Sequence, residues 1–256
     1  MILSSLYGKI RILLRDILRT WISFRSKRYL RSLKDQFNGK RCFIVGNGPS
    51  LKVEDLEKLK HEYTFGSHRI YKIFPQTTWR PTFYCAQDFD LIVKDQMEIR
   101  KVAQKNCFIC FTKKVKENII KQATILRIDT KTFYPDLPEF SRDVTECIYE
   151  GFTVTYAILQ IAIYMGFSEI YLLGVDHSYS MDLDKNGQII YKQQDDHFTE
   201  DDKITNIPQT CKSTLAYVKA KQIADSLGVN IFNATRGGAL EVFPRVSFDN
   251  LNFYKQ

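Results

Sequence analysis

Four short segments of this 256-residue chain carry residue types able to hold and transform a polar ligand. The first is Gly46-Asn47-Gly48-Pro49-Ser50, directly after the apolar run Arg41–Val45. Glycines at a strand end let the backbone turn sharply, and they let a phosphate or ribose approach with no Cβ in the way. A helix after such a turn aims free N–H groups at the same spot. The turn lacks the Lys-Ser/Thr pair of a P-loop and the third glycine of a dinucleotide fingerprint, so neither motif is supported. The second segment is Gly151-Phe152-Thr153-Val154-Thr155-Tyr156, where Thr153 and Thr155 can cap a helix or offer hydroxyls to a ligand. The third is Gly174-Val175-Asp176-His177-Ser178-Tyr179. There Asp176 can orient a neighbour, bind ribose hydroxyls or hold a metal, and His177 is placed to enter the same site. The fourth is Thr235-Arg236-Gly237-Gly238, an arginine beside two glycines, which suits an anion site or a plain surface turn. Two further histidines join them. His68 follows a short apolar run, and His197 lies between the carboxylates of Asp195-Asp196 and Phe198, a setting suited to a general base.

The elements that position these segments are legible from hydrophobic pattern. Arg41–Val45, Tyr63–Gly66, Thr82–Cys85, Asn106–Thr112, Glu169–Leu173 and Val229–Asn233 read as strands. Residues 52–60, 90–104, 154–165 and 213–227 read as helices, the last two stopped by Gly166 and Gly228. Strands alternating with helices predict an α/β class: one Rossmann-like domain over residues 40–256, with a mostly parallel sheet. Such sheets bind ligands at the carboxyl ends of their strands, and the four segments, which all follow or flank strands, are expected to converge on one edge. Residues 178–210 are polar and acidic with little periodicity, and they predict an irregular lid.

The net charge of +8 has one source: residues 1–40 hold ten Lys/Arg against two Asp, and the remainder is neutral. The basic excess therefore lies on a leader and not on the body, which argues against a nucleic-acid partner. Within residues 1–39, apolar positions from Leu3 to Phe24 recur at helical spacing among Lys and Arg. This predicts an amphipathic arm that lies on an anionic membrane surface through residues 2–31, or that packs on the domain or a partner chain. No uncharged stretch there reaches the roughly 18 residues of a membrane span, and no cleavable signal is apparent. The expected location is cytoplasmic, peripheral at the inner leaflet. The six cysteines fit a reducing compartment; Cys107 and Cys110 form an isolated CxxC in an apolar run and read as core.

Two of these motifs together, Gly46-Asn47-Gly48-Pro49-Ser50-Leu51 and Gly166-Phe167-Ser168-Glu169-Ile170-Tyr171-Leu172-Leu173-Gly174-Val175-Asp176, carry a resemblance. The chain resembles the bacterial sialyltransferases that use CMP-sialic acid, and the broader set of capsule and lipopolysaccharide proteins related to them and to the flagellin-modifying Maf proteins. The resemblance covers about residues 40–250. It implies nucleotide contacts from Gly46, Asn47, Gly48 and Ser50, from His68 and Gln87 where the family carries asparagines, and from Thr153, Val154 and Thr155. It also implies a catalytic lid histidine, with His197 the first choice and His177 the other, and lid tyrosines bracing the departing phosphate, with Tyr179 and Tyr191 nearest. The same motifs are similar to those of archaeal-type 6-hydroxymethylpterin pyrophosphokinases, which use ATP and magnesium.

The resulting expectation is a single-displacement glycosyltransferase with a CMP-sugar or other nucleotide-sugar donor and a glycan acceptor, lipid-linked in one version. Asp176 and Arg236 complete the expected binding set. No metal or other cofactor is expected; magnesium enters only under the pyrophosphokinase alternative. A non-catalytic nucleotide-binding scaffold is the third class.

Overall fold

The computed structural model describes residues 24–102, 106–111, 123–131, 133–183, 186, 188–198 and 207–253. Among them a single sheet of eight strands dominates. Its strands are β1 (Arg41–Val45), β2 (Tyr63–Ser67), β3 (Phe83–Ala86), β4 (Cys107–Phe111), β5 (Thr124–Asp129), β6 (Ile148–Tyr149), β7 (Glu169–Leu173) and β10 (Asn230–Asn233). The spatial order is β10-β7-β1-β2-β3-β4-β5-β6, and every ladder is parallel. A separate antiparallel hairpin pairs β8 (Met181–Leu183) with β9 (Ile189–Tyr191).

The central strands are apolar on both faces because both faces are covered. Cys42 and Ile44 of β1 enter one core layer with Phe65, Phe108, Ile170 and Leu172. Phe43 and Val45 enter the other with Tyr84, Ile109, Tyr171 and Leu173. The first layer is closed by α5 (Val154–Tyr164) and α6 (Thr210–Leu227), the second by α2 (Val53–Lys58), α3 (Phe89–Lys94) and α4 (Gln96–Val102). Every residue of α5 is buried, which explains a helix apolar on all sides. It ends as the sequence predicts: Gly166 has φ 92°, Gly166 N–H donates to Ile163 O and Phe167 N–H to Ala162 O.

The chain runs outward from β1 to β6, then returns through α5 to lay β7 on the other side of β1. The order reverses between β1 and β7, and there a parallel sheet opens a crevice at its carboxyl edge.

Several sequence expectations need adjustment. The helix expected over 90–104 is two helices broken at Asp95, whose carboxylate accepts from Arg69 Nε (2.7 Å) and Tyr71 Oη (2.8 Å). Strands β5 and β6 and the lid hairpin carry no assignment from sequence. A helix, α1, covers residues 24–33, and residues 24–38, assigned by sequence to the arm, pack on the domain. Leu30 is buried in the first layer, Ile125 N–H donates to Ser26 Oγ (2.9 Å), and the Phe37 ring stacks on Phe167 with centroids 4.7 Å apart. The apolar face of α1 is thus turned to protein, because sheet and helix surface lie within its reach. Residues 1–23, most of the predicted membrane-binding arm, lie outside the described residues. Among the described residues no helix is long and apolar enough to cross a membrane.

Strand β6 is only two residues long and is tied down by one side chain. Gln160 of α5, fully buried, accepts through Oε1 from Ser141 N–H and Tyr149 N–H (both 2.9 Å) and donates through Nε2 to Tyr149 O (2.9 Å) and Tyr156 O (3.2 Å). Gln160→Leu keeps most of the volume and strands two buried N–H groups, each costing about 1–3 kcal/mol. The expected result is a urea midpoint lowered by the equivalent of roughly 2–5 kcal/mol in equilibrium unfolding.

Candidate functional site

Turns from four strands surround one pocket at the reversal point. It is lined by Gly46, Asn47 and Gly48 after β1, by Ser67 and His68 around the end of β2, and by Phe152–Thr155 at the start of α5; Gly174–Tyr179 after β7, Asp196 and His197 of the lid and Tyr217 of α6 complete it.

The first and third segments touch. Gly46 N–H donates to Leu173 O (2.8 Å) and Gly48 N–H to Gly174 O (2.9 Å). A Cβ on Gly46 would sit 2.3 Å from Gly174 O, and one on Gly48 1.9 Å from Asp176 Oδ2. Glycine is required at both positions because backbone and carboxylate already fill the space. Ser50 Oγ donates to Asp176 Oδ2 (2.7 Å). Burial pushes the Asp176 carboxyl above its ordinary value, and the Ser50 hydrogen bond opposes that.

His177 and His68 both adopt positive φ, 52° and 47°. His177 is buried; its Nε2 lies 2.8 Å from Thr214 Oγ1, and the rings of Tyr179 and Tyr217 meet its ring edge-on, with centroids at 6.4 and 5.4 Å. Burial holds the imidazole below its usual pKa, so it is neutral at physiological pH. Burial pushes the Tyr179 phenol up, keeping it a proton donor. His68 O accepts from Tyr84 Oη (2.6 Å), and Gln87 N–H reaches toward His68 Nε2 at 3.5 Å. Asn47 Nδ2 donates to Ser67 O (3.1 Å), while its buried Oδ1 has no partner among the described residues. Thr153 caps α5, its Oγ1 accepting from Thr155 N–H at 3.3 Å and lying 3.4 Å from Tyr217 Oη. The N-terminus of that 11-residue helix faces the pocket, and its dipole suits an anion.

The lid is held at two points, one within itself and one on the turn after β1. Ser180 N–H (2.7 Å) and Oγ (2.5 Å) donate to Asp196, and Phe198 N–H donates to Asn47 O (2.9 Å). His197 reaches the pocket between these points.

Most of the residues expected from sequence converge: Gly46, Asn47, Gly48, His68, Thr153, Val154, Thr155, Asp176, His177, Tyr179 and His197 line the pocket. Ser50 stands behind it on Asp176. Three expectations are corrected. Arg236 does not line the pocket, because two carboxylates hold its guanidinium elsewhere: Asp55 at 2.6 and 2.9 Å and Asp249 at 2.9 Å. Its segment acts from behind instead, with Ala239 N–H donating to Asp176 O (2.7 Å). Tyr191, on β9, is 74% exposed and does not line the pocket. Gln87 stops short of it, its Oε1 buried without a partner among the described residues. Tyr217 and Thr214 were not singled out because on α6 they read as ordinary helix positions; only the fold shows that this face meets the pocket.

A wholly parallel sheet whose order reverses beside its first strand, with a roofed pocket at the reversal, defines a Rossmann-like domain with a crevice site. The chain belongs to the 6-hydroxymethylpterin diphosphokinase MptE-like family, whose model matches residues 18–182. Among solved structures, a Maf glycosyltransferase from Magnetospirillum magneticum AMB-1 is similar in fold, with a TM-score of 0.53 and 15% identity. The alignment covers 91% of this chain and 39% of that one, so the chain spans well under half of that protein's length. No curated protein matches the chain.

The Gly48–Asp176 contact can be tested by a double-mutant cycle. Gly48→Ala should cost about 1–3 kcal/mol through overpacking. Combined with Asp176→Ala it should cost less than the sum of the single changes, by at least about 0.5 kcal/mol in urea unfolding, because the carboxylate is the closest obstacle.

Proposed function

We propose that this protein is a glycosyltransferase that seats a nucleotide-activated sugar in the reversal-point pocket and transfers the sugar to a glycan hydroxyl. The observation that carries the reading is the convergence of the Gly46–Gly48 turn, the N-terminus of α5 and the Asp176–Tyr179 segment beneath a lid that brings His197 to the same pocket. The glycine turn and Asn47 receive the nucleoside. The N–H groups that open α5, with Thr153, receive the phosphate. Tyr179, a donor held protonated by burial, stabilises charge on the leaving phosphate. A pocket histidine takes the proton of the attacking hydroxyl, and such a group contributes typically about 10²–10⁴-fold. The fold shared with a Maf glycosyltransferase supports the class.

In its finer form the donor is a CMP-linked nonulosonic acid such as sialic acid, and the product belongs to a capsule or lipopolysaccharide. The resemblance of the two glycine motifs to sialyltransferases supports this. Transfer in this reading needs no metal, because a single phosphate leaving with its negative charge is met by hydrogen-bond donors such as Tyr179. The basic segment before α1 brings the enzyme to the inner leaflet from the cytoplasmic side. The membership in the MptE-like family favours a second reading, ATP- and magnesium-dependent diphosphate transfer to a pterin alcohol, with Asp176 on the metal.

Thermal unfolding with CMP, UDP, GDP and ATP, each with and without magnesium, separates the two. A ligand at 100 times its Kd adds about 2.7 kcal/mol, roughly 5–10 °C for a domain of this size. The expected outcome is protection by CMP without magnesium; protection by ATP only with magnesium would replace this reading with the second. For the membrane, removal of residues 1–23 should abolish co-sedimentation with vesicles containing phosphatidylserine and preserve nucleotide protection. Undiminished sedimentation would refute the membrane role.

A further inference from the structure

His177 has two ring nitrogens, and its surroundings distinguish them. Nε2 lies 2.8 Å from Thr214 Oγ1. Thr214 Oγ1 also lies 2.9 Å from Thr210 O, one helical turn back on α6, in donor geometry. A threonine hydroxyl has one proton. With that proton on the Thr210 carbonyl, the hydroxyl presents a lone pair to Nε2, and the contact closes only if Nε2 carries a hydrogen. The reverse arrangement would leave two oxygens facing each other at 2.9 Å with no proton between them. Nδ1 has no hydrogen-bond partner among the described residues, is not among their buried unpartnered atoms, and belongs to a residue that lines the pocket. The aromatic rings of Tyr179 and Tyr217 fix the imidazole plane, and the positive φ of His177 fixes the direction from which it enters.

We propose that Thr214 is a positioning residue that holds His177 as the Nε2–H tautomer, so that Nδ1 is the lone pair meeting the acceptor hydroxyl. The step rests on the glycosyl-transfer reading above. The acceptor oxygen forms its bond to the anomeric carbon, and the bond from that carbon to the phosphate oxygen breaks with its electron pair on the phosphate. The hydroxyl proton passes to Nδ1. The imidazolium keeps its Nε2–H on Thr214 throughout, so no rotation of ring or hydroxyl is needed. This makes His177 the catalytic residue and leaves His197, on the lid, to contact the ligand.

The tautomer can be read without turnover. Two-bond ¹H–¹⁵N correlation spectra of ¹⁵N-histidine-labelled protein at pH 8, assigned with His177→Ala and His197→Ala, report which nitrogen is protonated. The expected wild-type pattern is Nε2–H for His177. Thr214→Val should shift it toward a tautomer mixture, and Thr214→Ser should restore it. A wild-type proton on Nδ1, or a Thr214→Val spectrum identical to wild type, would overturn the proposal. With a nucleotide sugar that protects the protein, kcat should fall about 10²–10⁴-fold in His177→Ala. In Thr214→Val it should fall roughly 10-fold or more with KM nearly constant, and Thr214→Ser should recover most of it. Full turnover in His177→Ala would overturn the base assignment. Absence of turnover with every nucleotide sugar would overturn it together with the glycosyl-transfer reading, while the spectrum still decides the tautomer.

Discussion

The structure depends on one close approach, the contact of the turn after β1 with the turn after β7. Gly46 and Gly48 lie against Gly174 and Asp176 so tightly that a single added carbon at either glycine would overlap a neighbouring oxygen. Two N–H···O bonds, Gly46 to Leu173 and Gly48 to Gly174, continue the ladder past the last paired residues. The sheet is therefore zipped up to the lip of the crevice. Because the two strands are far apart in sequence, this contact fixes the return of the chain through α5 as well as the floor of the pocket. Ser50 on one side and Ala239 on the other then brace Asp176 through its carboxylate and its carbonyl.

Residues whose role is local were legible in the sequence. The caps of α5 at Thr153 and Gly166 and the αL stop of α6 at Gly228 depend on the few residues around them. Periodicity found the central strands because they are buried on both faces and read as apolar runs. It missed β5, where the exposed Arg127 interrupts the run, and β6, which is too short for a period to show and is held by the ladder with β5 and by two hydrogen bonds between Tyr149 and Gln160. Such a strand is a product of tertiary structure, and no window of sequence contains its cause.

The candidate site divides in the same way. Asn47, Thr153, Asp176 and His177 could be named because turns beside strands share one edge of a parallel sheet, and His197 because carboxylates precede it in the lid. Arg236 obeyed the same rule and still went elsewhere, since Asp55 and Asp249 lie close enough to take its guanidinium. An arginine beside glycines looks the same on paper whether it awaits a phosphate or has already found two carboxylates. Tyr217 and Thr214 show the opposite failure: a helix that covers the sheet also supplies one wall of the pocket, and nothing in its amphipathic pattern marks which turn does so.

The bond from Phe198 N–H to the carbonyl of Asn47 joins the roof of the cavity to its floor through main-chain atoms alone. Side-chain variation on either segment leaves that seam intact. Parting that seam would free a carbonyl in the same peptide run that lines the pocket, so the position of the roof and the shape of the glycine turn are tied through one main-chain bond.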